Sequence, residues 1–351
     1  MKKKIFLFFK SPIGILLIAG LVLRIILYFI FQPYNYPQEV LFQDAEGYHQ
    51  LAIQFLKDGN FIINNSTLDT LRTPGYPLFI WAIYLIFGIK FHIVLFIQIF
   101  INLASIYILY LIGGNVFNKK IGFIAALLFS LELDHLYFVY SLLTETLFIF
   151  LFLLSSLYFI YFFKKGKQLY LILSSILLGL ATLVRPIAMF LPFILIFGLL
   201  IYQIRYKSLN FKDSLRYIFL IIFFFSLTIS PWLIRNYSRY GYAQLSSISG
   251  NNLLNCNVAI TIQNSENRSI LDVRRELDSL ILKKDTLGKL GNPFYKSKVQ
   301  TEVAMEFINK HKTAYFKTHF LGILNIYITL SYKEFSHRFF RINNDLYVSI
   351  R

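Results

Sequence analysis

Tyr76-Pro77-Leu78-Phe79-Ile80-Trp81-Ala82-Ile83-Tyr84-Leu85-Ile86-Phe87 is apolar enough to enter a bilayer, yet its twelve residues are too few to cross one as a helix, which takes about 20. How it is read decides the side of every later loop. If it does not cross, Lys119-Lys120, Lys164-Lys165-Lys167 and Arg205/Lys207/Lys212 all share the side of the N-terminus. If it crosses, all of them face the other way, against the bias that keeps Lys and Arg of short loops in the cytoplasm. Lys2, Lys3, Lys4 and Lys10 precede the first apolar run and put the N-terminus in the cytoplasm. The stretch therefore reads as a helix lying in, or dipping into, the outer interface.

The rest of the chain fits a membrane protein. It has 351 residues, 56% of them hydrophobic and only 15% charged, against about 25% charged in an ordinary soluble domain. Apolar runs at 13–31, 92–112, 121–138, 142–163, 168–184, 187–204 and 214–231 are each near span length, so the expected fold is an all-α integral membrane bundle of seven spans. Residues 32–91 then form an outer loop. Within it Tyr48, Leu51, Ala52, Phe55 and Leu56 recur at helical spacing after Asp44 and predict a second interfacial helix. The domains read as a transmembrane module, 1–231, and an outer polar domain, 232–351. The latter has weakly amphipathic stretches at 268–284 and 298–310 and an apolar segment, 314–331, that reads as an eighth span or an interfacial helix. The net charge of +17 follows from lysines and arginines in short loops, so nucleic acid is not the expected partner. The single cysteine, Cys256, excludes an intramolecular disulfide and a Cys-rich metal site. Met1-Lys2-Lys3-Lys4 and the run after it look like a signal peptide, but without a small-residue cleavage site they read as an uncleaved anchor.

This topology gathers Asp44, Arg72, Asp134, Glu145, Arg185 and Arg235 at one depth, at outer ends of spans or in outer loops. Charges within membrane-level segments are costly and usually face protein or water. Arginine forks onto phosphate, and a carboxylate accepts a proton from a hydroxyl, so the set suggests a site for an anionic ligand beside a proton acceptor. Plainer roles stand beside this. Asp44 suits a helix N-cap, Glu145 a helix start and Asp134 a loop cap, and Arg185 and Arg235 could snorkel to the interface. The site reading is preferred for Asp44 and Glu145, the cap for Asp134. His49 and His135 read as incidental, and Arg24 as an interior pairing residue with no partner named by the sequence.

Asp44-Ala45-Glu46-Gly47-Tyr48, Arg72-Thr73-Pro74-Gly75-Tyr76-Pro77, Thr144-Glu145-Thr146, Val184-Arg185-Pro186 and Pro231-Trp232-x-x-Arg235-Asn236 occur in this order over roughly residues 1–255. The set resembles the bacterial C-type (GT-C) membrane glycosyltransferases, relatives of the protein O-mannosyltransferases and the lipid A aminoarabinose transferases. The resemblance implies a GT-C-like bundle with two outer interfacial helices after span one. It implies transfer of a sugar from a polyprenyl-phosphate carrier to a lipid, glycan or protein acceptor, at the outer face of the bacterial cytoplasmic membrane. Carried over, Asp44 is the expected general base and Glu145 the second acid. Arg72, Arg185 and Arg235 are the basic positions for the carrier phosphate, and Tyr48, Tyr76 and Asp134 line the substrate. The chain stops after at most one further span, where many relatives continue with several.

No Gly-rich phosphate loop calls for a nucleotide. The carboxylates could hold a divalent ion with waters, while the resemblance implies a reaction without metal or other cofactor. A transporter or flippase for lipid-linked sugars would need polar residues deep in several spans, and spans two to seven carry few charges near their centres. A polysaccharide polymerase shares the donors and the outer arginines. A structural subunit leaves the one-sided gathering of charge unexplained.

Overall fold

The computed structural model describes residues 10–31, 40–41, 44–61, 68–206 and 210–328. Lys2–Lys4, Lys207, parts of the outer loop 32–91 and the end of segment 314–331 lie outside them. Among the described residues every regular element is helical. The chain divides into two compact units. The first takes in the described residues up to Phe61 and Pro74–Pro231; the second takes in those up to Thr73 in the outer loop and from Trp232 onward.

In the first unit α1 (Pro12–Phe31) begins with Pro12, whose fixed φ suits a helix start, and is apolar throughout except for Arg24. After it come α2 (Asp44–Asp58) and, beyond the one-turn α3 (Leu68–Leu71) of the second unit, α4 (Gly75–Phe87). The two helices expected between the first and second spans are thus present. α2 buries Ala45, Tyr48, Leu51 and Ala52 on one face and packs on α4, whose buried face is Tyr76, Ile80, Ile83 and Tyr84. α5 (Phe91–Val116) runs beside α1 and α6 (Lys119–Leu131), and α7 (Leu133–Val139) follows. α8 (Glu145–Lys165) packs against α5 and α9 (Gln168–Val184). A short 3-10 turn, Pro186–Phe190, leads into α10 (Leu191–Tyr206), and α11 (Phe211–Tyr240) closes the bundle.

The expectation of seven spans is corrected. Among the described residues five helices are long and apolar enough to cross a membrane, or six if α6 and α7 count as one broken span. The expected span 121–138 is bent by 60° because Glu132 leaves helical geometry and caps α7, its carboxylate accepting the backbone N–H of His135 at 2.8 Å. The expected span 168–184 is a helix of 17 residues, short of the usual length, stopped by extended Arg185 before Pro186. The last span runs on past Pro231 to Tyr240.

Small and hydroxyl residues bring the helices together, as they do where lipid provides no hydrophobic drive between them. Ser155 of α8 donates to the carbonyl of Ser174 at 2.7 Å, and Ser174 of α9 donates to that of Ser155 at 2.9 Å. Arg24 is fully buried; it donates to Asn102 Oδ1 at 2.9 Å, the Gly20 carbonyl at 3.1 Å and the Ser130 carbonyl at 3.2 Å. These are the partners that the sequence could not name.

Gly75 explains part of the Arg-x-Pro-Gly-Tyr-Pro pattern. A Cβ there would lie 2.6 Å from the carbonyl carbon and oxygen of Leu183, two residues before Arg185. Since backbone cannot swing aside, Gly75→Ala is expected to cost about 1–3 kcal/mol, measured as a lowered unfolding midpoint in detergent. An unchanged midpoint would mean that α4 and the end of α9 are not held this closely.

In the second unit the expected amphipathic stretches are helices. After α12 (Ile248–Asn251) a π-helical turn, Asn252–Val258, runs into α13 (Ala259–Glu266). α14 (Ile270–Lys284) starts at Ser269, whose hydroxyl accepts the Leu271 N–H, and buries Val273, Leu277 and Ile281. α15 (Pro293–Lys310) has Pro293 in its first turn and Asn292 as cap, and buries Val299 and Val303 against them. α16 (Lys312–Ile328) holds the described part of 314–331 and is not among the helices fit to cross.

Candidate functional site

In the first unit several of the candidate residues lie on neighbouring helices. Asp44 is the exposed first residue of α2, and Tyr48, one turn on, shares its face. The Tyr48 ring stands edge-on to Tyr76, with centroids 5.2 Å apart. Tyr76 is wholly buried and donates to Gln98 Oε1 at 2.7 Å. Gln98 in turn donates to the carbonyls of Val139 at 2.9 Å and Ser141 at 3.0 Å. The tyrosine of the Pro-Gly-Tyr-Pro pattern thus ties α4, through α5, to the loop that delivers Glu145. Burial pushes the Tyr76 phenol well above its ordinary pKa, and Tyr48, Glu145 and Tyr84 push it the same way.

Glu145 opens α8 and Arg185 ends α9. Their side chains meet as an ion pair, Arg185 Nη1 to Glu145 Oε1 at 2.5 Å, and both keep access to solvent. Thr144 joins the pair, donating to Glu145 Oε2 at 3.3 Å and accepting from Arg185 Nη1 at 3.3 Å. The guanidinium also lies 5.9 Å from the Phe148 ring centre. An acid and an arginine far apart in sequence are therefore held at the ends of two packed helices. Asp134 is not brought to this pair. It sits half-buried in the first turn of α7, and the capping expected of it falls to Glu132. His49 bonds the Tyr84 hydroxyl at 2.8 Å through Nδ1. Among the described residues no three His, Cys, Asp or Glu side chains group as metal ligands.

Arg72 and Arg235 belong to the second unit. Arg235 meets Asp69, with Nη2 2.5 Å from Oδ2, and the Tyr240 hydroxyl donates to the same oxygen at 2.7 Å. Asp69 is 3% exposed. Sequence reasoning passed over Asp69, Tyr240 and Gln98. The available signal for Asp69 was an acid three residues before Arg72, inside the polar part of the outer loop.

Several helices of bilayer length make this a multi-pass membrane protein, with an acid and an arginine paired at the ends of α8 and α9, and a family match supports a membrane glycosyltransferase of the GT-C kind. Residues 71–234 match the model of the dolichyl-phosphate-mannose-protein mannosyltransferase family, a GT-C type family. The match contains Arg72, Tyr76, Asp134, Glu145 and Arg185, and leaves Asp44, Tyr48 and Arg235 outside. No curated protein matches the chain.

Proposed function

We propose that the protein moves a sugar from a polyprenyl-phosphate carrier to an acceptor hydroxyl at the outer face of the bacterial cytoplasmic membrane, with inversion. The observation that carries this reading is the Glu145–Arg185 pair at the ends of α8 and α9. Asp44 takes the acceptor's proton as its oxygen attacks the anomeric carbon. The bond from that carbon to the phosphate oxygen breaks, and its electron pair leaves with the phosphate. Arg185 stabilises the charge growing on that phosphate, as a positioned cation does. Glu145 holds Arg185 in line, and Tyr48 lies along the sugar with the buried Tyr76 ring behind it. Arg72 contacts the carrier phosphate. Asp134 lines the substrate. The acceptor is a lipid, a glycan or a protein.

Isolated membranes given labelled polyprenyl-phosphate sugars test this. The expected product carries the label with the anomeric configuration opposite to that of the donor. Retention would overturn the single displacement, and transfer from nucleotide sugars alone would overturn the carrier.

A further inference from the structure

We infer that Asp69 and Arg235 are positioning residues: their buried ion pair docks the turn that presents Arg72, and Arg235 itself does not touch the carrier. The inference rests on the proposed function only for what Arg72 then binds.

The geometry is that of a lock. Arg235 spends its donors on protein: Nη2 on Asp69 Oδ2, and Nη1 on Asn236 Oδ1 at 2.8 Å and the Asp69 carbonyl at 3.4 Å. Its guanidinium faces are covered by Trp232 and Tyr240, at 4.7 and 5.6 Å from the ring centres. A cation so neutralised and covered has little left for a phosphate. The rings and Asn236 are themselves fixed: Trp232 Nε1 donates to the Leu245 carbonyl at 2.8 Å, and Asn236 Nδ2 to that of Gln244 at 2.6 Å. The turn is held along its length. Ser247 N–H donates to the Thr70 carbonyl at 2.8 Å, the Ser247 hydroxyl to Thr70 Oγ1 at 3.1 Å, and the Ser246 hydroxyl to the Leu71 carbonyl at 2.8 Å. Residues 69, 70 and 71 are thus each clasped, and Arg72 is the next residue. Asp69 is the charged one of these points, a buried carboxylate with two side-chain donors.

The test uses full-length protein in detergent and compares Asp69→Asn, Arg235→Asp and the exchange Asp69→Arg/Arg235→Asp. Trypsin cleavage after Arg72 reads the docking without any catalysis. It is expected to quicken at least about tenfold in either single variant, because cleavage follows the population of the opened turn. In the exchange, cleavage after Arg72 is expected to return toward wild type; the additional trypsin site that Asp69→Arg introduces is scored separately by mass. In the transfer assay the single variants are expected to raise the donor KM more than they lower kcat, as lost binding does, and the exchange to recover most of it. If the exchange regains protection but not transfer, Arg235 touches the substrate and the inference falls. If neither single variant quickens cleavage, the pair does not dock the turn and the inference falls as well. A wild type that transfers nothing while the variants behave as expected toward trypsin would overturn the proposed function and the role of Arg72, not the lock.

Discussion

Asp44→Asn is expected to lower the rate of sugar transfer by about 10²–10⁴-fold at matched expression, the usual worth of a positioned base. The substitution isolates chemistry from folding. Asp44 begins α2, and Asn serves a helix start about as well as Asp, so the helix, and Tyr48 on it, stay in place. Asn cannot take the acceptor's proton. The donor KM should therefore change little while kcat falls. Radiolabel transfer in membranes measures both. If the variant keeps full activity, Asp44 only starts a helix and the base must be sought at Glu145.

Asn102→Leu is expected to destabilise the bundle by about 2–3 kcal/mol, and Arg24→Met/Asn102→Leu to recover most of that. Asn102 supplies the acceptor for Arg24 Nε within a fully buried site. Removing it leaves a charged donor without its partner, and such a loss costs more than a neutral hydrogen bond is worth. Removing both groups replaces a polar cluster by apolar volume, which is often neutral. The two sites touch, so their effects should not add. Unfolding of wild type, both single variants and the double variant closes the cycle. A double variant as unstable as the sum of the singles would mean that Arg24 acts through its carbonyl partners alone.

The sequence was most legible where charge and length act locally. Lysines beside apolar runs led to reading Tyr76–Phe87 as a stretch that does not cross, and α4 is a helix of 13 residues, shorter than the helices fit to cross. Periodicity after Asp44 predicted the buried face of α2. The break in 121–138 was harder, because the run is apolar on both sides of Glu132 and the stop is a single cap bond to His135. Reading Glu132 as a cap required knowing that the helix stops there. The least legible contacts join residues remote in sequence. Asp69 meets Arg235 across 166 positions and Arg24 meets Asn102 across 78, and neither motif nor period marks such pairs. The two acids that the sequence ranked highest, Asp44 and Glu145, both begin helices, so their rank came from family order and depth rather than from local pattern.

The crossed serines of α8 and α9 act as a pin through two sliding rods. Each hydroxyl reaches the other's carbonyl, so a slip of one helix by even a fraction of its 5.4 Å pitch breaks both bonds at once. Ser155 lies about ten residues below Glu145 and Ser174 a similar distance from Arg185, roughly 15 Å along each axis. Equal lengths above a common pin keep the tips level. The acid and the arginine therefore arrive at the same height, and their ion pair closes across two helices already in register.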